Sequence, residues 1–178
     1  MLHTASRTRP ELKGGTPYKF YAEGVTPAVA HLYEAIDTER VAVARVLGAS
    51  VPSLVDWFEW VYGVREPTIV ETVQRLTYDP EGPYQATYTP GSLDDKFVAE
   101  DVPTGLILMS ALGSAAGVRT PAIDSLVRIV QYMTGHGFIV EARTLERLGP
   151  NGMTASQIQR VIQDVFQLEE KDSVSRSP

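Results

Sequence analysis

The 178-residue chain contains no cysteine, which excludes disulfides, thiolate-bound zinc and a thiol nucleophile. Histidine is scarce, at positions 3, 31 and 136 only, and the three are too scattered to make a metal motif. Positive charge is in deficit, with 16 Lys and Arg against 22 Asp and Glu, giving a formal net charge of -6. Phosphate recognition rests on a basic surface, so no nucleic-acid partner is expected. No apolar run can cross a bilayer: the longest, from Gly105 to Val118, is short and broken by Ser and Gly. The opening MLHTASRTRP lacks the apolar core of a secretory signal. A cytoplasmic protein without a membrane partner is the expectation.

What is present reads as helix. Hydrophobic residues make up 43% and charged residues 21%, ordinary values for a globular chain long enough to bury a core. Thr26 then Pro27 opens a long helix that Gly48 stops, with Val29, Leu32, Ile36, Val43 and Leu47 at helical spacing and Glu34, Asp37, Glu39, Arg40 and Arg45 on the other faces. Pro52 and Ser53, with Asp56 three residues on, open a second helix that ends at Gly63. Thr68 to Leu76 is a third helix, and Tyr78 to Asp95, rich in Pro, Gly and Tyr, a long loop. Asp101 and Pro103 start a fourth helix, GLILMSALGSAAG, apolar nearly all round and so expected at the buried centre. Thr120 with Pro121 starts a fifth, ending near Gly135 and Gly137. A short turn at Thr144 to Leu148 and a capping box of Thr154 with Gln157, opening a helix to about Leu168, complete the series. Seven helical segments without strand alternation predict an all-α domain over residues 23–168, preceded by a junction segment at 1–22 and followed by a frayed tail at 169–178. The aromatic run YKFY within the junction reads as a short extended piece or the rim of a core.

Most individual residues have a plain structural role on this reading. Asp101 before a helical proline is a helix N-cap, and Thr26, Thr120 and Thr154 are caps. Lys96 is a loop charge beside Asp94 and Asp95, and Arg143 a surface cation. Trp57, Phe58, Trp60 and Tyr62 crowd one short helix and pack a core or a dimer face. His31 falls on a helix surface and His136 in a Gly-flanked turn.

Three separated stretches together carry a more specific signal: YAEGVTPAVAHLYEAIDTERVAVARVLG, EDVPTGLILMSALGSAAGVRTPAIDSLV and ARTLERLGPNGMT. In order and spacing they resemble the C-terminal helical domain of the opine dehydrogenases, the octopine/nopaline dehydrogenase family. The resemblance implies an all-α domain of the type found at the C-terminus of 6-phosphogluconate dehydrogenase. It also implies a reductive condensation of an amino acid with an α-keto acid, catalysed in a cleft shared with a Rossmann domain that binds NAD(P)H. Carried over by motif, the resemblance makes His3 in MLHTA the catalytic acid/base. It makes Asp101, in Ala99-Glu100-Asp101-Val102-Pro103, the residue that orients it. Lys96 takes the place of an Arg that often stands five residues before that Asp, and Lys96 with Arg143 would contact substrate carboxylates.

The chemistry is consistent with those residue types. Reduction of an imine needs a proton donor poised near neutrality, which His supplies, and a carboxylate on its far ring nitrogen holds the tautomer. Lys offers a point charge and lacks the bidentate fork of Arg. The chain departs from the family in two respects. It has no G-x-G-x-x-G and no strand–helix–strand unit, so NAD(P)H is expected only with a separate Rossmann-domain chain and no cofactor for this chain alone. The segment after His3 is polar and contains Pro10. The expected partners are that Rossmann chain or a second copy, with an amino acid and an α-keto acid as substrates. The alternative is a non-catalytic helical binding or dimerisation module.

Overall fold

The computed structural model describes residues 18–90, 93, 96–138 and 142–175. They form nine α-helices and one π-helical turn, and among them the only extended pairing is an isolated antiparallel bridge between Lys19 and Tyr88. The helices are α1 (Phe20–Gly24), α2 (Pro27–Val46), α3 (Leu54–Tyr62), α4 (Ile69–Tyr78), α5 (Lys96–Ala99), α6 (Ile107–Ala116), α7 (Pro121–Thr134), α8 (Leu145–Leu148) and α9 (Ala155–Ser175). The π-helical turn, Val102–Leu106, joins α5 to α6.

The spine is α2. Its 20 residues span about 30 Å, and it is entered as expected, with the Thr26 hydroxyl accepting from the Val29 amide and Pro27 in the first turn. Three apolar clusters are arranged along it. Ala30 and Tyr33 join Phe58, Ile69, Val73 and Leu76 in the first. Ile36 packs against Val102, Leu126 and Val130 in the second. Val43 and Leu47 meet Ile158 in the third. Among the charges of α2, Glu34 and Arg45 are exposed while Asp37 and Arg40 are half-buried. Asp37 accepts from Arg40 at 2.6 and 3.0 Å and from the Leu54 amide at 2.8 Å, while Arg40 also donates to the Pro52 carbonyl. They bind α2 to the start of α3, because a polar group in a partly buried groove is costly unless it is hydrogen-bonded.

The loop after α4 is held down at Thr87 and Thr89. Thr89 donates to the Tyr18 carbonyl and Phe20 to that of Thr87, so YKFY is an extended bridge running into a helix. Gly82 is required where the loop turns back, since a Cβ there would lie 2.2 Å from the Leu76 carbonyl oxygen.

Four expectations need correction. First, the helix assigned to start at Asp101 and Pro103 is already under way at Lys96, and Asp101 has right-handed helical angles with no capping bond. Pro103 inside a helix removes one amide donor, and the chain answers by widening to a π turn in which the Ile107 amide reaches the Val102 carbonyl. Second, Thr120 does not cap α7: its hydroxyl turns to Asp124, and the Ala122 and Ile123 amides are held by the two Glu39 oxygens at 2.8 and 3.0 Å. Third, α6 is not buried on all sides, with Gly113 as its one buried residue. The apolar surplus lies elsewhere, at Trp60 on α3 and Tyr132 on α7, 78% and 88% exposed. Fourth, the last helix continues past Leu168 to Ser175, so most of the segment read as tail is helical; Glu169, Glu170 and Lys171 favour helix intrinsically.

Candidate active site

Asp101 gains its position from the π turn. The wider turn leaves the Pro103 carbonyl facing outward, where the Arg143 amide donates to it at 3.0 Å, so the segment before α8 is pinned against this bend. Thr104 turns its hydroxyl back onto the Glu100 carbonyl at 2.7 Å. The Asp101 side chain makes no cap and lines a cavity of about 380 Å³, together with Tyr21, Tyr33, Thr104 and Met109. That volume lies in the lower part of the range for small-molecule sites, about 300–1,000 Å³.

The carboxyl is accessible to solvent, yet its pKa is raised. Desolvation by the surrounding apolar wall is the larger cause, and the negative charge of Glu100 adds to it. The same field reaches the two tyrosines. Tyr33 is pushed up to about 12, by burial first and then by Tyr21 and Asp101, and Tyr21 is raised by burial, Asp101 and Tyr62. Behind them Tyr21 stacks on Tyr84 with centroids 4.1 Å apart, and Tyr84 meets Tyr62 edge-on at 5.7 Å. Burial and the Tyr62 hydrogen bond hold Tyr84 protonated. These aromatics make a stiff back wall for the carboxylate.

Two other concavities adjoin. A recess of about 420 Å³ shares Tyr33 and Ile36 with the Asp101 cavity and is lined further by Trp57, Leu54 and the Asp37–Arg40 pair. A larger groove of about 730 Å³ lies between α6 and α7, with Arg119 and Arg128 on it. Its carboxylate, Asp124, already accepts from Ser110 at 2.6 Å and Thr120 at 3.2 Å. Size alone would favour that groove; the Asp101 cavity is the one with a carboxylate that has no hydrogen bond among the described residues and a raised pKa, which is the better marker of chemistry.

His3 lies outside the described residues. Lys96 starts α5, one turn before Asp101. Arg143 is exposed and forms no ion pair among the described residues, although its amide is anchored beside the site. Tyr21, Tyr33, Thr104 and Met109 were not singled out by sequence; the aromatic run YKFY contains Tyr21 and gave no signal for the other three. No group of His, Asp and Glu among the described residues is arranged to hold a metal ion, and none of their helices is long and apolar enough to cross a membrane.

A dinucleotide pyrophosphate sits on free helix N-terminal amides after a strand. Among the described residues there is no strand, and four helix starts are occupied by side chains: Thr26 at α2, Ser53 at α3 and Thr68 at α4 cap their own helices, and Glu39 reaches from α2 to the start of α7. These residues do not fit a dinucleotide.

The described residues thus form an all-helical fold with a cavity lined by a carboxylate of raised pKa. The model of the NAD/NADP octopine/nopaline dehydrogenase α-helical domain matches residues 1–134, and the chain belongs to that family. It is 38% identical over 151 residues to the opine dehydrogenase of Arthrobacter sp. (strain 1C), covering 85% of this chain and 41% of the relative. It is 28% identical over 147 residues to the protein ocs of Agrobacterium vitis, covering 83% of the chain and 39% of that protein. The chain thus spans about two fifths of the curated relatives it matches. Among solved structures, octopine dehydrogenase with NADH and L-arginine superposes with a TM-score of 0.64 at 20% identity, over 89% of this chain and 46% of that one. That likeness confirms the all-α fold class.

Proposed function

We propose that this chain is the substrate-binding and catalytic helical domain of an opine-dehydrogenase-type oxidoreductase. It would work in the cytoplasm with a separate dinucleotide-binding domain. The reaction joins an amino acid to an α-keto acid: the amine adds to the keto carbon, water leaves, and reduction of the imine yields a secondary-amine dicarboxylate. The reduced dinucleotide supplies the hydride from the other domain.

The residues of this chain handle the proton and the carboxylates. His3 takes up the proton that the amine releases as it adds and delivers a proton to the departing oxygen, which leaves as water. Asp101 holds the imidazole in one tautomer and stabilises its cation. Lys96 and Arg143 neutralise substrate carboxylates at the rim. The observation that carries this reading is the state of Asp101: an Asp-x-Pro carboxylate that caps nothing, lines a cavity and has a raised pKa. A carboxylate retained in such a setting is costly for folding and useful for catalysis.

The test mixes this chain with a dinucleotide-binding domain of the same family and follows NAD(P)H oxidation with pyruvate and a panel of amino acids. Activity in the mixture that is lost in His3→Ala supports the reading. Silence of the mixture, with the dinucleotide bound by its own domain, overturns it in favour of a helical module without the reaction.

A further inference from the structure

We infer that the groove between α6 and α7 is a second small-molecule site, apart from the Asp101 cavity, and that it takes a secondary-amine dicarboxylate, a ligand with a carboxylate on either side of one ammonium.

The charges of the groove run in alternating order. Arg119 stands just before α7, Asp124 lies in its first turn and Arg128 about one turn further on, and all three line the groove. Both arginines are exposed, and neither forms an ion pair among the described residues. Arg128 follows Asp124 by four residues, the spacing of an ordinary helical ion pair, yet the carboxylate turns to Ser110 and Thr120 instead. Both of those bonds fall on Oδ1, so Oδ2 accepts from no described residue.

A cation–anion–cation series is the complement of an anion–cation–anion ligand. Each guanidinium offers a fork to one carboxylate, and Asp124 Oδ2 accepts from the ammonium between them. A plain dicarboxylate would set its middle against the Asp124 charge, and a simple amino acid would leave one arginine unused. Ile107, Val118 and Val127 supply apolar wall for the carbon chains, and about 730 Å³ is ample room. Leu106 and Met109 face the Asp101 cavity, whereas Ile107, Ser110 and Ser114 line the groove, so the two sites lie on different faces of one helical segment. A secondary-amine dicarboxylate is also the class of product in the reaction proposed above. The groove's role as a product site rests on that reading; its binding chemistry does not.

Iminodiacetate, the smallest such ligand, tests the site on the whole chain by methyl NMR. Its addition should move the Ile107 and Val127 signals, while Met109 in the Asp101 cavity stays in place. Diglycolate has the same shape with an ether oxygen in place of the ammonium, and should bind about tenfold more weakly. Arg119→Gln and Arg128→Gln, both at exposed positions, should each weaken iminodiacetate by about threefold to tenfold. Asp124→Asn should bring iminodiacetate and diglycolate to equal affinity; if that variant fails to fold, the comparison of the two ligands on the unaltered chain asks the same question.

Equal binding of the two ligands by the unaltered chain, no movement of Ile107 and Val127, or movement of Met109 alone overturns the inference. NAD(P)H oxidation by the assembled enzyme without any binding in the groove would overturn the second site and spare the proposed function. Binding in the groove of a chain whose assembled mixture is silent would overturn that function and leave the site standing.

Discussion

Two stretches of this chain look alike in sequence, Asp101-Val102-Pro103 and Thr120-Pro121, each a polar residue before a helical proline. In the fold they have opposite fates. At Thr120 every polar group is paired: Glu39 reaches across from α2 to hold the Ala122 and Ile123 amides, and Thr120 and Ser110 both donate to Asp124. At Asp101 the chain is already helical, the proline is absorbed by a π turn, and the carboxylate is left facing a cavity without a cap to make. The same local signal therefore marks a structural joint in one place and a carboxylate lining a cavity in the other. What separates them is whether another element arrives to complete the helix start.

That contrast can be broken most severely at Asp101. Asp101→Asn keeps the shape and removes the charge, and in the assembled enzyme it should lower kcat by about a hundredfold to ten-thousandfold while thermal unfolding of the chain barely moves. A matching loss of stability would mean that Asp101 is structural after all.

At the Thr120 joint the expected effects are on folding. Gly113 lets α6 approach the loop, and a Cβ there would lie 2.7 Å from Thr120 Cγ2 and 3.1 Å from the Val118 carbonyl oxygen. Gly113→Ala should therefore destabilise by about 1–3 kcal/mol despite the better helix propensity of Ala, measured by urea denaturation. Glu39→Ala removes both cap bonds to α7 and should cost about 1–2 kcal/mol in the same experiment. A neutral result for Glu39→Ala would show that water satisfies those amides equally well.

The smallest expected effect sharpens the comparison through pH. Because the Asp101 pKa is raised, the folded chain holds that proton more tightly than the unfolded chain. Its contribution to stability must then fall as pH rises from the ordinary carboxylate value, about 4, through the raised one. Asp101→Asn abolishes this slope, so the variant should gain on the parent between acid and neutral pH in urea midpoints. Parallel curves would place Asp101 in bulk-like water.

Much of the fold was legible because helix grammar is local. Thr26 with Pro27, Ser53 before Asp56, and the Thr154 and Gln157 box act over three or four residues, and the structure shows the Thr26, Ser53 and Thr154 caps with their expected amides. Burial on α2 was less legible, since Asp37, Glu39 and Arg40 sit off the apolar stripe and yet each holds a distant segment. The candidate site was half legible. Asp101 and Lys96 came from a motif resemblance, whereas Tyr21, Tyr33 and Met109 come from three separate helices and share no sequence spacing.

Helical class, helix order and family are legible from the chain's residues alone, because propensity, caps and apolar period are properties of neighbouring residues. That Asp101 is not a cap, that Glu39 is one, and that Tyr21 of α1 and Tyr33 of α2 line the cavity with the Asp101 carboxylate are outcomes of tertiary packing. Those outcomes depend on which elements meet. A polar group takes its partner from whatever the packing brings within hydrogen-bond reach, and Asp101, to which no described element brings a cap, is left lining the cavity.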